Sequence, residues 1–287
     1  MQTRYIKKTS LGISVCLMFV AASCRQTLAQ RSSQGATTTS TAIPAPMQST
    51  KPLSTAPELL KPSDQLTPAQ IERMIEKLHD WPALGRYRAD NAKLAEPAKD
   101  EQRVVFYGDS ITDFWRTRGS FFPGKPYIDR GISGQTTPQM LVRFRQDVLA
   151  LHPSVVIILA GINDIAGNTG PETTDSIEDN FRSMVTLAKS EHIRVVLCSI
   201  LPASSFPWRP GIDPRPRIAE LNSWLRNFAA QEHLIYLDYH SAMLNSDDGM
   251  REDLAQDKFV HPNAAGYHVM EALAEVAIRK ALQQPTP

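Results

Sequence analysis

Ser110 is the first residue whose type and position could support a chemical reaction. It follows a short apolar run, 103–107, that is rich in β-branched and aromatic residues and is typical of a buried strand. Gly108 permits a tight exit from that strand, and ligands of open α/β sheets bind beyond the carboxyl ends of the strands. Ser110 is therefore a candidate nucleophile. A serine after a strand also commonly caps the next helix, and this turn alone does not separate the two interpretations.

Two further polar groups follow later strand-like runs. Gly134 lies after the run 126–130, where a glycine leaves its backbone N–H open to a ligand oxygen. Asn163 follows the run 155–160 and carries an amide that could donate a hydrogen bond into the same space. The alternatives are a plain turn glycine and an asparagine that shapes its own loop.

A histidine and an aspartate stand close together near the carboxyl end. Pro262 suits the first turn of the last predicted helix, which places His261 at the entrance of that helix. Asp257 precedes His261 by four residues. A carboxylate near a histidine can fix the tautomer of the imidazole and stabilise its protonated form. A surface helix cap is the alternative interpretation.

Taken together, these residues indicate a reactive site more specifically than any one of them does alone, because parallel strands end at the same edge of a sheet. Ser110, Gly134 and Asn163 are expected along one crevice, with His261 and Asp257 as further members of the site. Such a site holds a nucleophile, a base, an orienting acid and oxyanion donors, which is the set that acyl transfer requires. The sequence has no H-E-x-x-H segment and no Cys/His cluster with ligand spacing, so we expect no metal and no cofactor.

The elements that position these residues alternate along the chain. Strand-like runs at 103–107, 126–130, 155–160, 194–200 and 234–238 are interleaved with helical patterns near 137–150, 176–191, 215–232 and 263–283. This alternation predicts a parallel sheet of five strands with helices on both faces, in one α/β domain. The run at 155–159 is continuously apolar, as a central strand buried on both faces should be.

The amino-terminal segment has a different composition. Basic residues near the start precede an apolar stretch, 11–22, that is too short to span a bilayer, so residues 1–29 are predicted to be a secretory signal peptide. Cleavage after Ala29 is favoured, and a lipid anchor on Cys24 is the alternative because the preceding residues resemble a lipobox. The expected location is the periplasm or the extracellular space.

Residues 30–64 are rich in Ser, Thr, Gln, Ala and Pro and are predicted to be a disordered linker. The domain is predicted at 65–287, with its core at 103–283 and a helix before the core. That helix should begin after Thr67. Its apolar residues recur at helical spacing, which predicts a helix packed on the outside of the core: Ile71, Met74, Ile75 and Leu78.

Charge and cysteine content exclude several classes of protein. The net charge of +1 over 287 residues favours neither a nucleic acid nor a strongly acidic partner. Cys198 alone of the three cysteines lies in the predicted domain, inside an apolar run, so we expect a buried thiol and no disulfide.

Four blocks of the sequence together resemble those of the SGNH (GDSL) hydrolases: Gly108-Asp109-Ser110, Gly134, Gly161-Ile162-Asn163-Asp164 and His261. The resemblance covers residues 103–280 in the same order. The flanking stretch 131–140 is similar to secreted bacterial acylhydrolases grouped with platelet-activating-factor acetylhydrolase-like esterases. The resemblance implies a flavodoxin-like three-layer α/β/α sandwich. It also implies that Ser110 is the nucleophile and His261 the base.

The resemblance further implies an oxyanion hole made by the backbone N–H groups of Ser110 and Gly134 and by the Asn163 amide. In one respect the chain departs from the family, which places its aspartate three residues before the histidine. Lys258 occupies that position here. A one-residue insertion would leave Asp257 in the orienting role, with Asp253 as the alternative.

The resemblance implies a serine esterase that works through an acyl-enzyme. The sequence contains no long apolar lid segment, which favours short-chain, above all acetyl, esters of a small molecule or glycan. The proline-rich segment 202–216 follows the fourth strand and carries Phe206, Trp208 and Arg209. An aromatic side chain there could stack on a sugar, line a small acyl pocket, or pack against the body. A lysophospholipase or thioesterase, an acyltransferase to sugar, and a non-catalytic binding module are the alternatives.

Overall fold

A computed structural model describes residues 66–257 and 259–287 of the chain. The predicted signal peptide, its two alternative processing sites and the predicted linker lie outside these residues. Within them, no helix combines the length and the apolar character that crossing a membrane requires.

Five parallel strands form a sheet at the centre of the domain. Every predicted strand is present, and the strand ends differ from the predicted ones by two residues or fewer. The strands are β1 (Val104–Gly108), β2 (Tyr127–Gly131), β3 (Val155–Leu159), β4 (Arg194–Cys198) and β5 (Ile235–Leu237). Their order is β2-β1-β3-β4-β5, the flavodoxin-like order of a doubly wound sheet, so the predicted fold class is confirmed.

Helices connect the strands and cover both faces of the sheet, because parallel strands need long crossover connections. The described helices are α1 (Pro68–His79), α2 (Arg88–Asn91), α3 (Ser110–Asp113), α4 (Trp115–Arg118), α5 (Thr137–Asp147), α6 (Ile162–Ile165), α7 (Thr174–Ser190), α8 (Arg215–Gln231), α9 (Tyr239–Met243) and α10 (Ala264–Gln283). Helices α5, α7 and α8 pack side by side, while α10 contacts α4 and α9. The sheet thus lies between two helical layers.

The core fills the space between the sheet and these layers. Phe106 and Tyr107 are neighbours in β1, so their side chains point to opposite faces of the sheet. Phe106 packs edge-on against Trp115 of α4, with ring centroids 5.4 Å apart. Tyr107 packs edge-on against Phe144 of α5 at 5.3 Å. β1 therefore contributes to both halves of the core, which is why all of its residues are buried.

The central strands pair in a register that makes the loops after them begin at the same height. Gly108 at the end of β1 pairs with Gly131 at the end of β2 and with Leu159 at the end of β3. Three strands therefore end side by side. The residues that follow them, including Ser110 and Asn163, leave the sheet at the same height.

Helix α3 lies unusually close to the end of β2. A Cβ atom added at Gly131 would lie 2.1 Å from the backbone nitrogen of Asp113, closer than any side-chain rotation could relieve. A glycine is therefore required at position 131 by the close approach of the turn that bears Ser110.

Helix α1 forms as predicted, but its apolar stripe does not pack as predicted. The helix begins with a capping box in which Thr67 and Gln70 exchange hydrogen bonds. The stripe is largely exposed within the described residues: Ile71 39%, Met74 43%, Ile75 47% and Leu78 75%. The prediction that this helix packs on the core is thus wrong for the part of the chain described, because periodicity reveals an apolar face but not what covers it.

Candidate active site

Ser110 is the first residue of α3, and Asp109 caps that helix. The Asp109 Oδ1 atom accepts a hydrogen bond from the Ile111 backbone N–H at 2.9 Å. The Tyr267 hydroxyl of α10 donates to the Ile111 carbonyl at 2.8 Å and holds the turn from the other side. Ser110 is only 7% exposed. The cap and nucleophile interpretations are compatible, because Asp109 performs the capping and leaves the serine hydroxyl available.

The Ser110 hydroxyl meets the His261 imidazole. The Ser110 Oγ and His261 Nε2 atoms are 2.9 Å apart. On the other side of the ring, His261 Nδ1 pairs with Asp257 Oδ2. A carboxylate accepts but does not donate, so Nδ1 carries the ring proton and Nε2 is left to accept the Ser110 proton. Phe114 packs against the imidazole, with ring centroids 5.3 Å apart.

Asp257 also organises the loop that carries the histidine. Its Oδ1 atom accepts hydrogen bonds from the backbone N–H groups of Phe259, Val260 and His261 at 3.0, 2.9 and 3.1 Å. Burial alone would raise the pKa of Asp257, but the hydrogen bonds from His261 and these N–H groups outweigh burial and hold that pKa well below its ordinary value. Asp257 therefore stays ionised across the neutral range.

Asp253, the alternative partner, is occupied elsewhere. Its carboxylate pairs with the Arg251 guanidinium at 2.7 Å, and its side chain is 62% exposed. The structure thus brings Ser110, His261 and Asp257 together and leaves Asp253 at the surface. The turn between Asp257 and His261 is closed by the hydrogen bonds that Asp257 Oδ1 accepts from backbone N–H groups.

The three predicted oxyanion donors lie at adjoining strand exits. Gly134 has a φ of +80°, a conformation that favours glycine. Within the described residues, the backbone N–H groups of Ser110 and Gly134 make no hydrogen bond. Asn163 is buried, with 4% of the residue exposed, and its side chain donates one amide hydrogen to the Gln135 carbonyl at 3.0 Å. Its second amide hydrogen remains available to a ligand oxygen.

Two buried carboxylates support the site loops. Burial raises the pKa of Asp109 to about 7, and it raises the pKa of Asp164 to about 6. The Asp164 carboxylate accepts hydrogen bonds from the backbone N–H and the hydroxyl of Thr137, so it joins the exit of β3 to the start of α5. Asp109 belongs to the same sequence block as Ser110, and Asp164 belongs to the same block as Asn163. Each aspartate holds the backbone around it through the hydrogen bonds that it accepts.

Sequence reasoning missed Arg143, a fully buried residue of α5. Its guanidinium donates hydrogen bonds to the Gly108 carbonyl at 2.9 Å and to the Arg130 carbonyl at 3.0 Å, and it also donates to the Gln135 side chain. It forms an ion pair with Asp147 at 3.2 Å. Arg143 thus ties the ends of β1 and β2 to the loop whose Gln135 carbonyl receives the Asn163 amide. An arginine four residues before an aspartate is the only sequence signal, and such pairs are usually exposed.

The proline-rich segment 202–216 contacts the loop that follows β3, where Arg209 donates a hydrogen bond to the Gly167 carbonyl at 2.9 Å. Its two aromatic residues lie in different environments. Phe206 is 1% exposed and belongs to the core, whereas Trp208 is 42% exposed. Their ring centroids are 5.1 Å apart. Packing against the body therefore holds for Phe206, whereas Trp208 is partly open to solvent.

The described residues contain no cluster of three or more His, Cys, Asp or Glu side chains arranged to hold a metal ion. Cys198 is buried at the end of β4, as expected. Burial raises the pKa of its thiol well above the ordinary value, so the thiol is inert at neutral pH.

Comparisons with known proteins place these residues in a family context. A model of the GDSL-like lipase/acylhydrolase family matches residues 106–269, which include Ser110, Gly134, Asn163 and His261. The chain is 46% identical to a candidate acylhydrolase of known structure from Bacteroides fragilis NCTC 9343, with a TM-score of 0.69, over 71% of this chain and 99% of that one. It is 43% identical to a GDSL-like lipase from Bacteroides thetaiotaomicron VPI-5482, with a TM-score of 0.68, over 70% and 99%.

A more distant relative is an acetylxylan esterase from Xylanibacter ruminicola, 25% identical over 222 residues. The alignment covers 65% of this chain and 45% of that esterase. The chain therefore spans less than half the length of that relative.

We expect Arg143→Met to lower the free energy of unfolding by about 3–5 kcal/mol, because it leaves the buried Asp147 carboxylate without its cation. Urea denaturation measures this change. Arg143→Met combined with Asp147→Asn should recover much of the stability. The double variant should nevertheless stay impaired in ester hydrolysis, because the Gly108 and Arg130 carbonyls and Gln135 have lost their common donor. Full activity in the double variant would contradict a role for Arg143 in holding the site loops.

Proposed function

Because the chain belongs to the GDSL-like lipase/acylhydrolase family, a family of carboxylic ester hydrolases, we propose that it is a serine esterase specific for short-chain esters. The observation that carries this proposal is the 2.9 Å contact between Ser110 Oγ and His261 Nε2, with Asp257 on the far nitrogen of the same ring. A serine hydroxyl becomes a nucleophile when a neighbouring base takes its proton. The substrate is an ester of a small molecule or a glycan, and no metal or cofactor takes part.

In the proposed reaction, Ser110 Oγ attacks the ester carbonyl while His261 Nε2 takes the hydroxyl proton. The carbonyl oxygen becomes an oxyanion, held by the backbone N–H groups of Ser110 and Gly134 and by the Asn163 amide. The C–O bond to the alcohol breaks, and His261 returns its proton to the leaving oxygen. Water, deprotonated by His261, then attacks the acyl-enzyme and releases the acid and Ser110.

Asp257 keeps the ring proton on Nδ1 throughout and stabilises the imidazolium that forms in each step. Its depressed pKa supports this role, because an ionised carboxylate pairs with an imidazolium at every pH at which His261 can act as a base. Each oxyanion donor contributes about 10²–10³-fold in turnover in enzymes of this type.

Acetyl esters of carbohydrate are the proposed natural substrates. The similarity to an acetylxylan esterase supports this choice. Trp208, which is 42% exposed and hydrogen-bonds to Asn168, carries a flat aromatic ring of the kind on which sugar rings stack.

Ser110→Ala should lower the turnover of p-nitrophenyl acetate by at least about 10³-fold, because removing the nucleophile of a triad removes most of its catalysis. A fluorophosphonate probe should label the wild-type protein and not the variant. Matching circular dichroism spectra serve as the control for folding. Wild-type turnover in the variant would refute the nucleophile assignment, and failure to label the wild-type protein would favour a binding module.

Asp257→Asn should reduce turnover by about 10²–10⁴-fold, because an amide N–H facing His261 Nδ1 forces the ring proton onto Nε2 and blocks acceptance of the Ser110 proton. Asp253→Asn is the matched control and should keep activity within about twofold, since its partner Arg251 lies at the surface. Steady-state kinetics of the two variants decide which aspartate orients the histidine. The reverse result would transfer the role to Asp253.

The specificity constant for p-nitrophenyl esters should fall by about tenfold or more from acetate to octanoate, because a small acyl site gains no binding from further methylene groups and must exclude them. Release of acetate from acetylated xylo-oligosaccharides tests the glycan substrate directly. A specificity constant that rises with chain length would point to a lysophospholipase or thioesterase. Acetylated sugar as the main product in the presence of a sugar acceptor would point to an acyltransferase.

Export is part of the proposal, on the evidence of the basic residues and the apolar stretch 11–22 near the amino terminus. Cleavage after Ala29 should give a mature protein that begins at Gln30. The intact mass of the protein recovered outside the cytoplasm checks this. A mass that corresponds to a lipid-modified Cys24 would establish the alternative.

A further inference from the structure

The Asn163 amide is held by a second asparagine that lies outside the recognised sequence blocks. Asn168 Nδ2 donates to Asn163 Oδ1 at 2.8 Å, while Asn163 Nδ2 donates to the Gln135 carbonyl at 3.0 Å. The Asn168 backbone N–H also donates to the Asn163 carbonyl at 3.0 Å. Both ends of the Asn163 amide are therefore engaged by protein groups.

The same Asn168 amide reaches a second proposed oxyanion donor. Its Nδ2 atom lies 3.3 Å from the Gly134 carbonyl, in addition to its contact with Asn163. On its other side, Asn168 Oδ1 accepts a hydrogen bond from the indole N–H of Trp208 at 3.2 Å. One side chain thus joins two of the three oxyanion donors to the proline-rich segment 202–216.

The chemistry of the partners fixes which way both amides face. An indole N–H can only donate and a backbone carbonyl can only accept, so Trp208 and Gly134 orient the Asn168 amide without ambiguity. Asn168 then presents a donor to Asn163 Oδ1, and Gln135 presents an acceptor to Asn163 Nδ2. Among the described residues, the second hydrogen of the Asn163 amide is consequently left available to a ligand, while the amide oxygen is engaged by Asn168.

We propose that Asn168 is a positioning residue that sets the orientation of the Asn163 amide and the Gly134 peptide for oxyanion binding, and that Trp208 fixes Asn168 in turn. This inference rests on the proposed function, because it assumes that Ser110 forms an acyl-enzyme. A reversed Asn163 amide would place an oxygen against the developing negative charge, where the reaction requires a donor.

The segment 202–216 is thereby coupled to the proposed oxyanion site. Arg209 strengthens the connection, because its guanidinium donates to the Gly167 carbonyl at 2.9 Å, next to Asn168. A displacement of the segment 202–216 would release the Asn168 amide. Trp208 consequently acts on turnover through its N–H, separately from any contact of its ring with substrate.

The test compares Asn168→Asp with Asn168→Ala. The carboxylate introduced by Asn168→Asp places an acceptor against Asn163 Oδ1 and favours reversal of that amide. We expect its kcat to fall by about 10²–10³-fold, the loss typical of one oxyanion donor, with KM changed by less than about threefold. Asn168→Ala removes the donor without adding repulsion and should lose about tenfold in kcat.

Trp208→Phe keeps an aromatic ring and removes only the indole N–H. Its kcat should fall by about 2- to 10-fold, the value of one hydrogen bond, with KM unchanged. Added to Asn168→Ala, it should cause little further loss, because both variants act through one amide. A rise in KM without a fall in kcat would instead assign Trp208 to substrate binding and overturn its role in positioning.

Asn245→Asp is the matched control. Asn245 also holds a loop through its amide, accepting from the Gly249 N–H at 2.9 Å and donating to the Met250 carbonyl at 3.2 Å. We expect this variant to lose stability in urea as much as Asn168→Asp does, while its kcat stays within about twofold of wild type. Equal losses of kcat in the two variants would mean that Asn168 is merely structural.

The rate of labelling by a fluorophosphonate probe separates failure of this inference from failure of the proposed function. The phosphonyl oxygen of the probe occupies the oxyanion site, so Asn168→Asp should label at least about tenfold more slowly than wild type. If the wild-type protein labels and the variant labels equally fast, the positioning role is overturned and the esterase stands. If the wild-type protein does not label at Ser110, the proposed function itself fails.

Discussion

The in-register pairing of β1 with both β2 and β3 is the constraint on which the site depends. It brings Gly108, Gly131 and Leu159 to one level, so that three loops leave the sheet side by side. A shift of one residue in any of these strands would turn its buried side chains to the opposite face of the sheet and move the start of the following loop along the strand. The absence of a side chain at Gly131 then lets α3 approach β2 closely enough for the Ser110 turn to face the neighbouring loops.

The loops at this edge of the sheet are held mainly by hydrogen bonds from buried polar and charged side chains. Arg143 is fully buried, and its hydrogen bonds join the ends of β1 and β2 to Gln135. A buried guanidinium is costly unless its donors are satisfied, so the carbonyl groups around it have little freedom to move. Asp164 performs the same task between β3 and α5. This rigidity suits a site whose donors must be in place before charge develops.

The residues that the family model matches and the proposed sugar contact at Trp208 belong to different parts of the domain. The sheet edge carries the serine, the histidine loop and the backbone donors that the GDSL-like lipase/acylhydrolase family model covers. Trp208 lies in a connection between β4 and α8, and such connections vary more readily than the scaffold that carries them. The contact between Trp208 and Asn168 links this connection to the loop that follows β3.

The sequence by itself determined the five-stranded parallel fold and identified Ser110, His261, Asn163 and Gly134 as candidate site residues. Strand patterns and short motifs depend on residues that are close together in the chain, so they can be recognised without the structure. The sequence favoured Asp257 over Asp253 as the partner of His261 but left both open, since that choice depends on how the turn before the histidine folds. It also predicted a packed face for α1 that is exposed within the described residues, and it gave no sign that Arg143 is buried. Packing partners, side-chain burial and amide orientation depend on residues far apart in the chain, so only the tertiary structure decided them.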